Sequence, residues 1–146
     1  MMILSNNTYK DFFLNDAVVA GTDVSPVESA EINCLGQERI RVQLMIGATA
    51  AQNGTVKFYI EESALPGGAK TLLSGATIGT HTHAASGETA KIYEIDAPVN
   101  YRYVKIVYQR EAANTALLCG TYELYNSNTG QVGDQSATIK ERVVVN

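Results

Sequence analysis

The sequence is poor in the residues that most often carry chemistry. It has no tryptophan, two histidines and two cysteines in 146 residues, and 18% of its residues are charged, against about 25% in a typical soluble protein. Its formal net charge is -4 and its isoelectric point is about 5.1. Such a sequence offers no broad basic surface for a polyanion, and we expect no nucleic-acid partner.

The sequence also has no long apolar run, and we expect no export signal. No apolar run approaches the roughly 20 residues that a membrane-spanning helix needs, so we expect no membrane partner. Residues 1–4 are followed at once by Ser5, Asn6 and Asn7, without the basic start or the apolar run of a signal peptide. The length fits one domain whose core is large enough to fold without metals or disulfide bonds.

The two cysteines, Cys34 and Cys119, each lie inside an apolar alternating stretch. That is the usual place for a small, buried free thiol, and no second pair of ligands has metal-binding spacing. We therefore expect two free thiols, and a disulfide bond between them is the alternative.

Alternation of apolar and polar residues is the strongest pattern. It is longest in 101–110, where Val104, Ile106 and Tyr108 fall on one face of a predicted strand and Lys105 on the other. Further alternating runs cover 31–35, 39–46, 55–61, 91–95 and 116–125, with a weaker one at 72–78. Turn-forming residues separate these runs, and no stretch keeps a helical period. The sequence predicts an all-β fold, an antiparallel β-sandwich or jelly roll of about eight strands with little helix.

Turn signals predict how some of these strands connect. Asn53-Gly54 is typical of a tight turn, so we expect 39–46 and 55–61 to form a hairpin. Pro98 predicts a turn over 96–100, and the glycine-, threonine- and alanine-rich segment around 80–83 predicts a loop.

The ends of the chain differ from its middle, which we assign to a β-sandwich domain at 17–125. Residues 1–16 are a predicted N-terminal arm that either lays its aromatic residues over the core or docks on a neighbouring subunit. Residues 126–146 are a predicted tether, rich in glycine, serine and amides, followed by a strand-like tail that ends in Val143, Val144 and Val145. The tail either adds a strand to its own sheet or augments the sheet of a neighbour.

No motif predicts an enzyme. His81 and His83 are two apart and share one face of a strand, yet two ligands do not close a metal site, so we favour a solvated loop and expect no metal. Glu61 and Glu62 point to opposite faces of a strand and cannot flank one bond, so we interpret them as solvated strand-end residues. We expect no catalytic residues and no cofactor.

Tyrosines predict an alternative function. Tyr59, Tyr93, Tyr101 and Tyr103 have amphipathic rings of the kind that line carbohydrate platforms. Scattered strand tyrosines more often cover a sheet face, so a carbohydrate- or receptor-binding module is the alternative interpretation.

The chain resembles the small jelly-roll capsid stabilisation proteins, also called cement or decoration proteins, of tailed bacteriophages. The resemblance covers roughly residues 1–125 and is carried by strand-sized motifs. These are Met2-Ile3-Leu4, Asp11-Phe12-Phe13, Asp16-Ala17-Val18-Val19-Ala20, Ile40-Arg41-Val42-Gln43-Leu44, the segment 54–62 (GTVKFYIEE) and Arg102-Tyr103-Val104-Lys105-Ile106. The tail at 126–146 departs from the family pattern.

The resemblance implies a structural virion protein that is made in the host cytoplasm and sits outside an icosahedral head. Its implied partners are the major capsid protein and two further copies of itself in a homotrimer, which stabilises contacts between capsomers. On this hypothesis the subunit or capsid contacts use Phe12 and Phe13 of the arm and Val143, Val144 and Val145 of the tail. A rigid trimer suits this role because three weak contacts act together.

Overall fold

A computed structural model describes residues 9–14, 25–49, 54–83, 91–110, 115–126 and 139–145. Every regular element within these residues is a β-strand. The strands are Tyr9–Leu14 (β1), Val27–Glu28 (β2), Ile32–Asn33 (β3), Arg39–Thr49 (β4), Gly54–Ser63 (β5), Thr71–His83 (β6), Lys91–Pro98 (β7), Tyr103–Arg110 (β8), Thr115–Tyr125 (β9) and Ile139–Val144 (β10).

The strands form two sheets packed face to face. The first sheet has the order β1-β9-β4-β7-β10, and the second has the order β2-β8-β5-β6, with β3 also paired to β8. All pairs between described strands are antiparallel except that of β10 with β7. The predicted all-β sandwich is therefore confirmed, and one of its edge strands is parallel to its neighbour.

The core is built from the inward rows of both sheets, as the alternation predicted. Ile40, Val42 and Leu44 of β4 have no exposed surface, and neither do Val104 and Ile106 of β8. Side chains at every second position of these two strands face the opposite sheet, and this placement removes them from water. Other strands supply the same kind of row, including Phe58, Ile60, Leu73, Ile78, Tyr93, Ile95 and Leu124.

The predicted hairpin of β4 with β5 is wrong. Strand β4 lies in the first sheet between β7 and β9, whereas β5 lies in the second sheet between β6 and β8. Both edges of β4 are thus occupied, and the chain crosses from one sheet to the other after it. The Asn-Gly signal is local and does not determine which strands pair; Asn53 itself lies outside the described residues.

Two further local predictions are also wrong. Strand β7 continues to Pro98, which pairs with Arg39, so Asp96 lies inside a strand and not in a turn. Pro98 is the last residue of that strand. The predicted loop around 80–83 belongs to β6, where His81 pairs with Val56 and His83 with Gly54. The interpretation of residues 17–24 and 127–138 falls outside the described part of the chain.

Candidate functional site

The N-terminal strand β1 forms one edge of the first sheet. Among the described strands it pairs with β9 alone, so its other edge carries backbone groups open to an additional strand. The register with β9 shifts between Phe12 and Leu14, and the extra residue at this irregularity lets Phe13 and Leu14 both turn towards the core. Phe12, which lies before the irregularity, points out and is 58% exposed, while Leu14 is buried.

The neighbouring aromatic residue, Phe13, is part of the core. Its ring stacks on Phe58 with centroids 6.2 Å apart and tilts against Tyr108 at 5.9 Å. Both partners come from the second sheet, so Phe13 ties the edge strand to the opposite layer. The structure therefore gives the two phenylalanines different surroundings, and only Phe12 faces solvent.

A groove lies on the outer face of the first sheet beside Phe12. Its volume is about 270 Å³. Cross-strand registry explains how it forms: Phe12 lies opposite Thr121, and Gln43 of β4 lies on the other side of Thr121. The groove is lined by Lys10, Asp11, Phe12, Arg41, Gln43, Thr121, Tyr122 and Glu123, and we call it the outer-face groove.

Alternating charges run across the sheet next to this groove. Lys10 of β1 lies 3.4 Å from the Glu123 carboxylate of β9, and Arg41 of β4 lies 3.4 Å from the same carboxylate. Arg41 also lies 3.4 Å from Asp96 of β7. These residues occupy one cross-strand row, so each charge faces an opposite charge on the adjacent strand. The Lys10 side chain is 69% exposed, so its ion pair with Glu123 contributes little to stability.

Asp96 ends this row on the side of β7, and it is buried although its side chain lies on the outer face of the sheet. Asp96 is 1% exposed and accepts hydrogen bonds from Arg39 Nε at 3.1 Å and from the Tyr125 hydroxyl at 2.6 Å. Burial, followed by the hydrogen bond to Asp96, raises the pKa of the Tyr125 phenol. The Arg41 guanidinium stacks 5.0 Å from the Tyr125 ring. A buried carboxylate is tolerated here because cationic and hydroxyl donors surround it.

The tail residues lie at the opposite edge of the first sheet from β1. Val143 and Val144 pair with Ile95 and Asp96 of β7. The Val145 side chain packs against the core, and its carbonyl accepts a hydrogen bond from Arg39 Nη2 at 2.9 Å. The structure thus places the tail strand in its own sheet, and it does not bring the tail together with Phe12 and Phe13.

The other sequence-derived candidates do not assemble into a site. Tyr93 is 1% exposed in the core of the first sheet, so the four tyrosines do not share a platform. Within the described residues no group of three or more His, Cys, Asp or Glu side chains is placed to hold a metal ion. No described helix is long and apolar enough to cross a membrane. Both cysteines are free thiols: Cys34 is buried and Cys119 is half-buried.

The solvated role expected for Glu62 is wrong. Glu62 is 5% exposed and accepts hydrogen bonds from the backbone N–H groups of Asn100 and Tyr101, both at 3.1 Å, and from the Asn100 amide at 3.2 Å. It therefore anchors the loop between β7 and β8 to the end of β5.

Sequence reasoning missed Asp96, Glu123 and Thr121 as members of one surface. The strand of Thr121 and Glu123 was predicted, whereas Asp96 was assigned to a turn; all three residues have outward parity in the observed strands. The missing information was the order of the strands, because a row across a sheet exists only once its neighbours are known.

Solved structures share the fold. A chain of infectious bursal disease virus, Gx strain, matches with a TM-score of 0.53 and 10% identity over 87% of this chain and 33% of its own. PBSX exported protein XepA matches with a TM-score of 0.51 and 14% identity over 89% of this chain and 41% of its own.

A structure of the CBM22-1 and GH10 modules of Clostridium thermocellum xylanase Xyn10B, complexed with xylohexaose, matches with a TM-score of 0.50 and 12% identity. The match covers 88% of this chain and 26% of the xylanase chain. The chain thus spans between about a quarter and two fifths of the length of these structures, and the shared property is the β-sandwich. No protein-family model matches the sequence, and no curated protein matches it.

Proposed function

We propose that this chain is a structural virion protein that binds the outside of an assembled phage head as a homotrimer and stabilises contacts between capsomers. The observation that carries the proposal is the β1 edge. Two aromatic side chains there, Tyr9 and Phe12, are 51% and 58% exposed on a strand whose outer edge pairs with no described strand. Such an edge accepts an extended segment of a partner by main-chain hydrogen bonding, with side-chain contacts adding specificity.

The groove beside Phe12 supports the same use of this edge. Its charged row is already paired within the chain, so a partner meets a preformed surface and does not have to neutralise an isolated charge. Phe13 fixes β1 to the second sheet, so the edge strand is already ordered before a partner binds. Binding then loses less free energy to ordering this strand. The major capsid protein is the proposed partner, and no catalytic chemistry is proposed.

Binding to empty heads tests the role of the edge. We expect Phe12→Ser to lower head occupancy severalfold, because the substitution removes an exposed aromatic anchor. Leu65→Ser is the matched control, since Leu65 is 68% exposed in the loop between β5 and β6. Both variants are compared with the parent by co-sedimentation with heads and by thermal unfolding. Equal occupancy for all three proteins at saturating and limiting concentrations contradicts the proposal.

Light scattering over a dilution series tests the homotrimer. The proposed function uses a trimer, since a trimer multiplies weak capsid contacts through effective concentration. We therefore expect a mass three times that of the chain. A protein that remains monomeric both free and bound to heads contradicts the trimer and leaves the head contact to be judged by occupancy.

The outer-face groove favours a second candidate, a carbohydrate-binding module. Phe12 supplies an exposed aromatic face, and Gln43, Thr121 and Glu123 supply hydrogen-bonding groups beside it, a combination that suits sugars. Glycan-array screening that includes xylohexaose separates the two candidates. Saturable binding that Phe12→Ala abolishes favours the carbohydrate module, whereas a phage cement protein binds heads and no sugar.

A further inference from the structure

Strand β10 enters the first sheet differently from the other described strands. Strands β9 and β7 both run antiparallel to β4 and hence run in the same direction, and β10 runs parallel to β7. The chain therefore leaves β9 at one end of the sheet and must return to the other end before β10 begins. No tight turn determines this pairing, unlike the pairing of strands in a hairpin.

The site that receives the tail belongs to distant parts of the chain. Val145 N–H donates to the Asp96 carbonyl of β7 at 2.8 Å, and the Val145 carbonyl accepts from Arg39 of β4 at 2.9 Å. On the other side, an ideal Cβ at Gly75 of β6 would lie 3.4 and 3.6 Å from the two methyl carbons of Val145. Val145 thus occupies a socket formed by Asp96, Arg39 and Gly75, which spans both sheets.

Gly75 gives this socket its shape. Its φ of 78° is a left-handed conformation that favours glycine, and the β6 register shifts between the pairs Tyr59–Thr77 and Glu61–Leu72. The extra residues of β6 make an irregularity in the strand at this point, and Val145 lies against it. The socket is built from β6, β7 and β4 and includes no part of the tail itself, so the tail of another copy presents the same groups to it.

The connecting segment is long enough to serve either its own sheet or another copy. Tyr125 lies in the same cross-strand row as Arg39 and Pro98, whereas Ile139 lies opposite Ile92. Ile139 is therefore displaced from Tyr125 by six residues along the strand direction and three strand spacings across the sheet, a distance of about 25 Å. Residues 126–138 span at most about 45 Å when extended. The segment therefore has roughly 20 Å of reach beyond what its own socket requires.

We propose that β10 is an exchangeable strand, and that in the oligomer β10 of one copy pairs with β7 of a neighbouring copy and seats its Val145 in that copy's socket. The exchanged strand makes the same backbone pairs and the same Arg39 and Asp96 contacts as the strand in its own sheet, so exchange sacrifices no contact of β10. Each subunit site is completed by a strand of its neighbour. The inference deepens the homotrimer of the proposed function and rests on it.

Disulfide trapping between two full-length chains tests the exchange. One chain carries Gly75→Cys and the other Val145→Cys, both with Cys119→Ala, and the two chains differ in mass through a tag. The positions suit a disulfide because a Cβ at residue 75 would lie in contact with the Val145 methyl carbons. After co-expression and oxidation, we expect a covalent pair of unequal masses, linked through residues 75 and 145. Val27→Cys in place of Val145→Cys reports random collision, since Val27 is exposed in β2.

The double variant with Gly75→Cys and Val145→Cys in one chain supplies the opposing outcome. An internal disulfide in that chain, with no mixed pair from the two single variants, overturns the exchange.

Arg39→Gln provides a readout that does not depend on the strained position 75. Exchange predicts that this variant dissociates at a severalfold higher concentration than the parent, and an unchanged dissociation profile overturns it. Trimers that bind heads without the mixed disulfide refute the exchange alone, and mixed disulfides without head binding refute the virion function alone.

Discussion

The hydroxyl of Tyr125 lies 2.6 Å from both carboxylate oxygens of Asp96. Tyr125 ends β9 and Asp96 lies in β7, so this contact reaches across the intervening strand β4. Arg39 of β4 fills the space between them, and its Nε lies 3.2 Å from the Tyr125 hydroxyl and 3.1 Å from Asp96. The three side chains therefore connect three adjacent strands at the end of the sheet where Val145 is bound.

Removal of the Tyr125 hydroxyl tests that connection. We expect Tyr125→Phe to lower the free energy of unfolding by about 1.5–3 kcal/mol, because the hydrogen bond is made to a buried charged group. Urea denaturation measures the change. Tyr101→Phe is the control: Tyr101 is 49% exposed, and its change should stay within about 0.5 kcal/mol. Equal stability of the two variants contradicts a structural role for the Tyr125–Asp96 contact.

Gly120 of β9 is predicted to be sensitive to a single added methyl group. A Cβ at this position would overlap the ring of Phe13. We expect Gly120→Ala to cost about 1–3 kcal/mol, because Phe13 is held between Phe58 and Tyr108 and cannot move freely. A double-mutant cycle with Phe13→Leu, followed by thermal unfolding, isolates the clash. Costs that add without coupling would show that the two residues do not compete for this space.

The sequence predicted the faces of the strands better than it predicted their neighbours. The inward set of β4, Ile40, Val42 and Leu44, follows directly from a period of two residues. Alternation contains no information on which strand lies alongside, so the first sheet could not be ordered from it. The hairpin expected at Asn53-Gly54 shows this limit, because a local turn signal was outweighed by the packing that placed β4 between β7 and β9.

The candidate site was predictable only in part for the same reason. Phe12 and Phe13 were singled out together, but adjacent residues of a strand point to opposite faces, so Phe12 is exposed while Phe13 packs on Phe58 and Tyr108. Asp96 has the outward parity of a solvated residue, yet it is buried because Arg39, Tyr125 and the tail converge on it. The burial of Asp96 depends on contacts between residues far apart in the chain, which no sequence window includes.

Glu62 offers a test of a buried carboxylate that holds a loop. We expect Glu62→Ala to cost about 1–3 kcal/mol, since it leaves the N–H groups of Asn100 and Tyr101 without their acceptor. Glu62→Gln retains a side-chain carbonyl and should cost less. Glu61→Ala, one residue earlier on the opposite face, should change the free energy of unfolding by no more than about 0.5 kcal/mol. Urea denaturation compares the three variants, and similar stabilities for Glu62→Ala and Glu61→Ala contradict the anchoring role.

Alkaline pH should weaken the fold through groups whose pKa is raised by burial. Burial raises the pKa of the Cys34 thiol from 9.0 to about 12, and burial followed by Asp96 raises the pKa of Tyr125 above 10.0. The unfolded chain releases these protons at lower pH than the folded chain, so their stabilising effect is complete below about pH 9 and is lost as pH rises through the folded values. We expect the free energy of unfolding, measured by urea denaturation, to fall between about pH 9 and pH 11. The fall should be shallower in Tyr125→Phe above about pH 10, and a constant or rising free energy in the parent contradicts the prediction.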